Sequence, residues 1–297
     1  MPKSNQPNSF TPQATADGSF TFFSAEFQES FHSHYGAQQE AEYKFVIPCL
    51  LAQQASKPRL KILDICYGLG YNSAAALAKI WQVNPDCQVD LIALESDLAV
   101  PQKACDHNLL NNIWPQPVPQ LLAELASRQR IITPKFQAQL LIGDARFTIQ
   151  SVYHSGWQAD AIFLDPFSPP KCPQLWTVEF LTLVSKCLKQ DGKLATYSCS
   201  AAVRSALCLA GLKFGSSECV GRRTPGTVAD FDGKCLKPLS AQEQEHLKTR
   251  AAIPYRDPNL RDSTEIIKQR RNQEQKLSNL ETTTQWKKRW SKGKVFP

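Results

Sequence analysis

Short apolar runs alternate with segments of helical periodicity through the middle of the chain. The runs predict strands at 60–65, 89–94, 139–142, 161–164 and 193–198, and the segments predict helices at 72–81, 97–110, 118–128, 145–153, 176–188 and 201–210. Strands that alternate with helices in this way are typical of a parallel sheet covered on both faces. The pattern therefore predicts a Rossmann-like, doubly wound α/β domain.

The two ends of the chain depart from this pattern. Residues 1–16 are rich in polar residues and proline, which predicts disorder, and residues 17–58 predict a hairpin and a helix that form a lid. The α/β domain is expected over 59–240, with an extension over 241–297. Beyond Gly221 the strand signal fades.

The positive charge is concentrated in the extension. Residues 241–297 hold 13 Lys or Arg against 7 Asp or Glu, a balance of +6 out of the total of +7. A basic appendage on a nearly neutral domain suits phosphate attraction by a nucleic-acid-binding enzyme. A solvated, disordered tail explains the charge equally well.

The sequence argues against a membrane-spanning helix, a secretory signal and a metal site. No stretch reaches the roughly 20 apolar residues of a membrane-spanning helix, and the polar start does not resemble a secretory signal, so a cytoplasmic protein is expected. The ten cysteines contain no Cys-x-x-Cys pair, which predicts free thiols and no metal site.

A glycine-containing loop follows the first predicted strand, in the sequence Asp64-Ile-Cys-Tyr-Gly-Leu-Gly-Tyr-Asn72. Gly68 and Gly70 let the backbone approach a ligand, so they and Tyr67 and Asn72 are candidate cofactor residues. An ordinary tight turn is the alternative. Dinucleotide sites carry a third glycine where this chain has Ser73, so S-adenosylmethionine, which has no phosphates, is favoured over a nicotinamide cofactor.

Acidic residues end four successive predicted strands, at Asp64, Glu95, Asp144 and Asp165. Ligands of open α/β sheets bind at the carboxyl ends of the strands. Glu95 is expected to bind the ribose hydroxyls, and Asp144, followed by Ala145, the adenine amino group. Each acid could instead cap a helix, Asp144 above all.

The fourth strand leads into Asp165-Pro-Phe-Ser-Pro-Pro-Lys171. A carboxylate followed by a stiff, aromatic turn suits an enzyme that methylates an amine: Asp165 would orient the amine, and Phe167 with Pro169 would hold a flat base. Taken alone, the segment also fits an ordinary loop.

At these residues the sequence resembles the MnmC family, in the form of its methyltransferase domain and stand-alone MnmD relatives, over about 16–230. The resemblance rests on the segments 15–19, 31–41, 68–72, 160–177, 194–198 and 203–211. It implies an S-adenosylmethionine-dependent enzyme that methylates 5-aminomethyl-(2-thio)uridine at the wobble position of tRNA, with Asp165 as the catalytic residue.

Several features limit what the resemblance implies. Pro166 replaces the family's glycine, and Cys66 replaces the first glycine of the usual loop. The oxidase domain of the two-domain family members has no counterpart, so another enzyme is expected to supply the amine. Lys171, Arg222 and Arg223 are candidate RNA contacts, with solvated surface charge as the alternative.

Two other functions fit the same fold. An aminopropyltransferase resembling spermidine synthase shares the ribose-binding acid and an acceptor-side aspartate, and it predicts a more acidic pocket without an RNA-binding tail. A non-catalytic RNA-binding protein could keep the fold as a scaffold. The four strand-end acids argue against the second alternative.

Overall fold

Two small hairpins precede the main sheet in the computed structural model, which describes residues 10–219 and 224–292. Strand β1 (Gln13–Ala14) pairs with β2 (Phe20–Thr21), and β3 (Phe23–Ser24) pairs with β4 (Glu29–Ser30). The predicted lid hairpin is thus present as β3 and β4. The prediction of disorder up to residue 16 is wrong for 13–14, because the β1–β2 ladder and a hydrogen bond from the Ala16 N–H to the His34 carbonyl order this segment.

The helix predicted after the hairpins is broken into three parts. Helix α1 (Ala37–Ala41) continues into a π-helix (Glu42–Val46), and α2 (Leu51–Gln54) follows after Leu50, which has a left-handed backbone. Phe45 is fully buried, as its place in the apolar pattern predicts, and so is Lys44 at 1% exposure.

The central sheet has eight strands. They are β5 (Arg59–Ile65), β6 (Gln88–Glu95), β7 (Arg130–Ile132), β8 (Phe136–Ile142), β9 (Ala159–Leu164), β10 (Leu188–Thr196), β11 (Lys213–Ser216) and β12 (Thr227–Asp230). Their order is β11-β12-β10-β9-β5-β6-β8-β7, and the five strands from β10 to β8 are parallel. All six residues of β9 are buried, as expected for a central strand covered on both faces. The predicted mostly parallel, Rossmann-like sheet is confirmed.

Helices cover both faces of the sheet and create two apolar cores. They are α3 (Tyr71–Val83), α4 (Ala99–Asp106), α5 (Val118–Arg128), α6 (Ala145–His154), α7 (Val178–Lys186) and α8 (Ala201–Leu209). Phe45, Tyr71 and Leu122 belong to one core, and Trp176 and Phe180 belong to the other. Each core packs against one face, so the carboxyl ends of the parallel strands stay open to a ligand.

The basic extension is folded over its described part. It contains α9 (Ala241–His246), α10 (Thr264–Leu277) and α11 (Thr283–Lys292). Ile267 and Tyr255 pack into the same core as Trp176, and Ile267 is fully buried. The alternative of a solvated, disordered tail is therefore wrong for residues 241–292.

The cysteines and helices bear on two further expectations. All ten cysteines are free thiols, as predicted, but only four of them are buried. None of the helices in the described ranges combines the length and the apolar character needed to cross a bilayer.

Candidate active site

The loop between β5 and α3 has the backbone geometry that its glycines predict. Gly68 and Gly70 have φ angles of 56° and 85°, and a Cβ on Gly70 would lie 2.7 Å from the Tyr67 hydroxyl oxygen. Cys66 also has a positive φ, 67°, at the position where the usual loop has glycine. A non-glycine residue in this conformation costs roughly 1–2 kcal/mol, which explains the usual choice of glycine.

Two buried carboxyl groups lie beneath this loop. Asp64 accepts a hydrogen bond from the Ser73 hydroxyl at 2.6 Å, while its Oδ1 has no partner among the described residues. Burial and, to a smaller extent, the nearby Glu95 raise the pKa of Asp64 to about 7, although the hydrogen bonds from Ser73 act in the opposite direction. Burial also raises the pKa of Glu95, although the backbone N–H groups of Gly68 and Asp97 stabilise its charged form.

The carboxylate of Asp144 is already engaged by the protein. It accepts from the backbone N–H of Arg146, as a helix N-cap, and forms an ion pair with the Arg146 guanidinium at 2.7 Å. Arg146 also binds Asp257 of the extension at 2.8 Å. The capping alternative is thus observed, and the adenine contact remains a prediction for the remaining lone pairs of Asp144.

The segment 165–168 is held by side chains from four different parts of the chain. The Asp165 carboxylate accepts from the Asn72 amide at 2.8 Å. Backbone carbonyls of the next two residues accept from side chains, Pro166 from the Tyr197 hydroxyl and Phe167 from the Trp176 indole, both at 2.9 Å. Ser168 donates its backbone N–H and its hydroxyl to the carboxylate of Glu29 on β4. We call residues 165–168 the acceptor loop.

Phe167 packs against aromatic rings of the N-terminal hairpin. It stacks on Phe27 with 4.4 Å between ring centroids and meets Phe31 edge-on at 5.0 Å. One face of the Phe167 ring is thus covered by protein, and its expected role in holding a flat base stays a prediction for the other face. The hairpin itself thus forms a wall of the site.

One cavity of about 830 Å³ joins these groups. Its walls include Gly68, Glu95, Asp144, Ala145 and Asp165, with the hairpin opposite. This volume lies in the usual range of about 300–1,000 Å³ for ligand sites. Among its described lining residues are seven carboxylates and no Lys or Arg, which suits cationic ligands: Glu26, Glu29, Glu40, Glu95, Asp97, Asp144 and Asp165.

The chain matches known proteins over the region of this cavity. Residues 108–232 match a family model described as S-adenosyl-L-methionine-dependent methyltransferase. An uncharacterised protein of Methanocaldococcus jannaschii is 30% identical over 89% of this chain and 72% of its own length. The crystal structure of MnmC2 from Aquifex aeolicus aligns with a TM-score of 0.77 and 34% identity, covering 89% of this chain and 84% of that one. The chain belongs to the MnmC2 methyltransferase family.

Membership of this family gives the cofactor, S-adenosyl-L-methionine. The residues present fit it, since open glycine backbone and a buried acid at the next strand end line one cavity. The bifunctional MnmC proteins of Ralstonia nicotianae and Aromatoleum aromaticum are 29% and 31% identical to this member of the family. In both alignments this chain covers about a third of the relative, 34% and 33%.

Some of the predicted site residues of this protein line the cavity, and others lie outside it. Asp64, Tyr67 and Gly70 support the loop without lining the cavity, and Asn72 bonds to Asp165. Pro169 is buried, and Lys171 is exposed beside the acceptor loop. Arg222 and Arg223 lie outside the described residues.

Sequence reasoning missed the groups that hold the acceptor loop. Glu29 reaches Ser168 across 139 residues, and Tyr197 reaches Pro166 across 31. Nothing in the local pattern around Glu29 marks it as part of the site, since a polar residue on a short strand is ordinary. Asn72, Trp176 and Tyr197 lie within segments that carry the family resemblance, but their bonds to the acceptor loop were not predicted.

Proposed function

We propose that this enzyme methylates the primary amine of 5-aminomethyl-(2-thio)uridine at the wobble position of tRNA, giving 5-methylaminomethyl-(2-thio)uridine. Two relatives bear the name tRNA 5-methylaminomethyl-2-thiouridine biosynthesis bifunctional protein MnmC. The observation that carries the proposal is the position of Asp165, which lines the cavity on the acceptor loop and is oriented by Asn72.

The chemistry requires a free lone pair on the amine. A protonated aminomethyl group has none, so the Asp165 carboxylate first holds the ammonium and accepts its proton, directly or through water. The bound cofactor supplies a methyl group on a sulfonium. With the cofactor bound, the free amine would form a bond to this methyl carbon as the carbon–sulfur bond breaks, and the electron pair would stay on sulfur. The protein's contribution is therefore mainly alignment of the two reactants.

The arginines of the extension are largely occupied by contacts within the protein. Arg250 donates to backbone carbonyls, Arg256 pairs with Glu179, and Arg289 pairs with Glu245. Arg270 and Arg271 likewise bind acidic or carbonyl oxygens. We therefore assign the attraction of tRNA phosphates to lysines. The side-chain ammonium groups of five of them form no hydrogen bond or ion pair with a described residue: Lys248, Lys268, Lys276, Lys287 and Lys288.

The proposal includes an upstream reaction and a location. The substrate is a primary amine, so an earlier reaction must supply it, and an oxidative cleavage of a carboxymethylated amine has the right chemistry. With tRNA as partner, the enzyme acts in the cytoplasm. The candidate contacts Lys171, Arg222 and Arg223 stay part of this proposal.

The test measures transfer of labelled methyl groups from S-adenosylmethionine to tRNA that bears 5-aminomethyluridine. We expect Asp165→Asn to lower kcat/KM by about 10²–10⁴-fold, since it removes a proton acceptor while keeping its shape. Cofactor affinity, measured by calorimetry, should change far less. The product nucleoside is identified by mass spectrometry.

An acidic cavity also suits a polyamine, so the assay needs a second arm. Decarboxylated cofactor and putrescine-type amines are offered to the same preparation. Aminopropyl transfer to these amines without methylation of tRNA would refute the proposal. Cofactor binding with no transfer to any acceptor would instead favour a non-catalytic RNA-binding protein.

A further inference from the structure

Glu29 connects the N-terminal hairpin to the acceptor loop by two hydrogen bonds. Its Oε2 accepts the Ser168 backbone N–H at 3.0 Å, and its Oε1 accepts the Ser168 hydroxyl. Both oxygens of one carboxylate thus bind one residue, three positions after Asp165. Bonds to an ionised group are stronger than neutral ones and are directional.

The position of Ser168 in turn controls its neighbours. The Ser168 carbonyl accepts the N–H groups of Lys171 and Cys172, at 2.8 and 2.9 Å. Prolines at 166, 169 and 170 flank it, and each fixes its own φ angle. A shift of Ser168 is therefore transmitted along a stiff backbone to Asp165.

The Glu29 contact is reinforced by the aromatic stack beside it. Phe27 and Phe31 flank Glu29 in sequence and pack on Phe167. The hairpin thus fixes the acceptor loop from the cavity side, while Asn72 and Trp176 fix it from the side of the sheet.

We propose that Glu29 is a positioning residue: by binding Ser168 it holds the acceptor loop, and with it Asp165, in the geometry needed for methyl transfer. The inference rests on the proposed function for its catalytic consequence. Glu29 needs no contact with the substrate for this role, because it acts through Ser168. Nothing about the identity of the RNA enters the argument.

Amide hydrogen exchange measures the role of Glu29 without any substrate. Residues 165–172 include three prolines, so only five of the eight have an exchangeable amide. We expect Glu29→Ala to speed exchange at the Ser168 amide about tenfold, because its acceptor is lost. Glu29→Gln keeps one oxygen acceptor and should restore most of the protection. Glu26→Gln removes a charge from the same hairpin without altering a bond to Ser168, so its exchange should match the wild type.

Steady-state kinetics then test whether the hydrogen bonds between Glu29 and Ser168 matter for catalysis. Glu29→Ala should lower kcat about 10- to 100-fold, as expected for a misplaced catalytic group, with the cofactor Kd nearly unchanged and partial rescue in Glu29→Gln. Unchanged exchange with a lowered kcat would make Glu29 a direct substrate contact and overturn the proposal. Faster exchange with unchanged kcat would also overturn it.

Failure of the proposed function gives a different result. If the wild-type enzyme methylates no tRNA, the proposed substrate is wrong, whereas the exchange data still decide whether Glu29 holds the acceptor loop. Melting temperatures of the three variants show whether all are folded. Ser168→Ala, which keeps the backbone bond but loses the hydroxyl bond, should lie between wild type and Glu29→Ala in both measurements.

Discussion

Asp64 and Glu95 end adjacent strands, and both are almost completely buried, at 0% and 7% exposure. Burial favours the neutral form of Asp64 below about pH 7, whereas a cation bound nearby would favour its charged form. Without a nearby cation, the charged form of the buried Asp64 carboxylate therefore destabilises the folded protein. The free energy of unfolding consequently depends on pH.

Replacing Asp64 with Asn should reveal this cost. The folded-state pKa of about 7 lies above the usual aspartate value of 3.8, so the folded protein holds the proton more tightly than the unfolded chain. The stabilisation that protonated Asp64 contributes to the wild type is consequently lost as the pH rises from about 4 to 7. Above about pH 7 this contribution no longer changes. The free energy of unfolding of Asp64→Asn relative to wild type should increase by about 1.4 kcal/mol per pH unit over that window.

Denaturant titrations of both proteins between pH 5 and 8.5, without cofactor, measure this difference. A difference that stays constant across the series would contradict a raised pKa for Asp64. A conservative control is Asp97→Asn, an exposed acid on the same rim.

For individual residues, the sequence predicted which ones lie at the site better than it predicted their contacts. The glycines and strand-end acids were identifiable because a parallel sheet brings its carboxyl ends together, whatever the details of packing. The link from Arg146, the partner of Asp144, to Asp257 was not identifiable, since it is a contact across 111 residues. Glu29 was missed for the same reason.

The strands and helices differ in how well the sequence predicts them. The five parallel strands were all predicted, each beginning one to five residues later than observed. Strands β7, β11 and β12 were missed because they are three or four residues long and pair antiparallel near the edges of the sheet. The extension helices were missed because their mostly polar sequences hide the few apolar residues that anchor them.

The lysines of α10 and α11 give a test of RNA binding that leaves the arginine contacts intact. We expect the triple change of Lys276, Lys287 and Lys288 to Gln to weaken tRNA binding and to reduce the slope of log Kd against log salt by about 2–3, because each lost phosphate contact contributes roughly 0.7–0.9 to the slope. Filter binding over a salt series measures both.

A matched control changes the same charge elsewhere. Lys103, Lys135 and Lys234 are exposed lysines outside the extension, each paired with a nearby aspartate. Their triple change to Gln should leave the slope nearly as in wild type. Equal effects of the two triple variants would mean that only net charge matters, and that the extension has no special role.

The molecule as a whole is tied together by the ion pair between Arg146, beside the cavity, and Asp257 in the extension. Asp257 is fully buried, and its carboxylate also accepts the N–H groups of Arg261 and Asp262. Removing one partner of such a pair leaves an uncompensated charge in the interior.

We expect Asp257→Ala to lower the free energy of unfolding by about 3–5 kcal/mol, the usual effect of breaking a buried ion pair. The neighbouring Arg256 is 37% exposed and pairs with Glu179, so Arg256→Gln should cost about 1 kcal/mol or less. Urea denaturation monitored by circular dichroism measures both. Similar losses in the two variants would show that the Arg146–Asp257 link has no special weight.

The same link bears on where this protein could be divided. Composition changes at about residue 240, where the basic residues begin to accumulate. A chain cut there would strip Arg146 of Asp257 at the edge of the cofactor cavity and uncover the core that Ile267 and Tyr255 complete. The boundary at residue 240 is thus one of charge only, and the smallest autonomous folding unit of this enzyme extends well into its basic end.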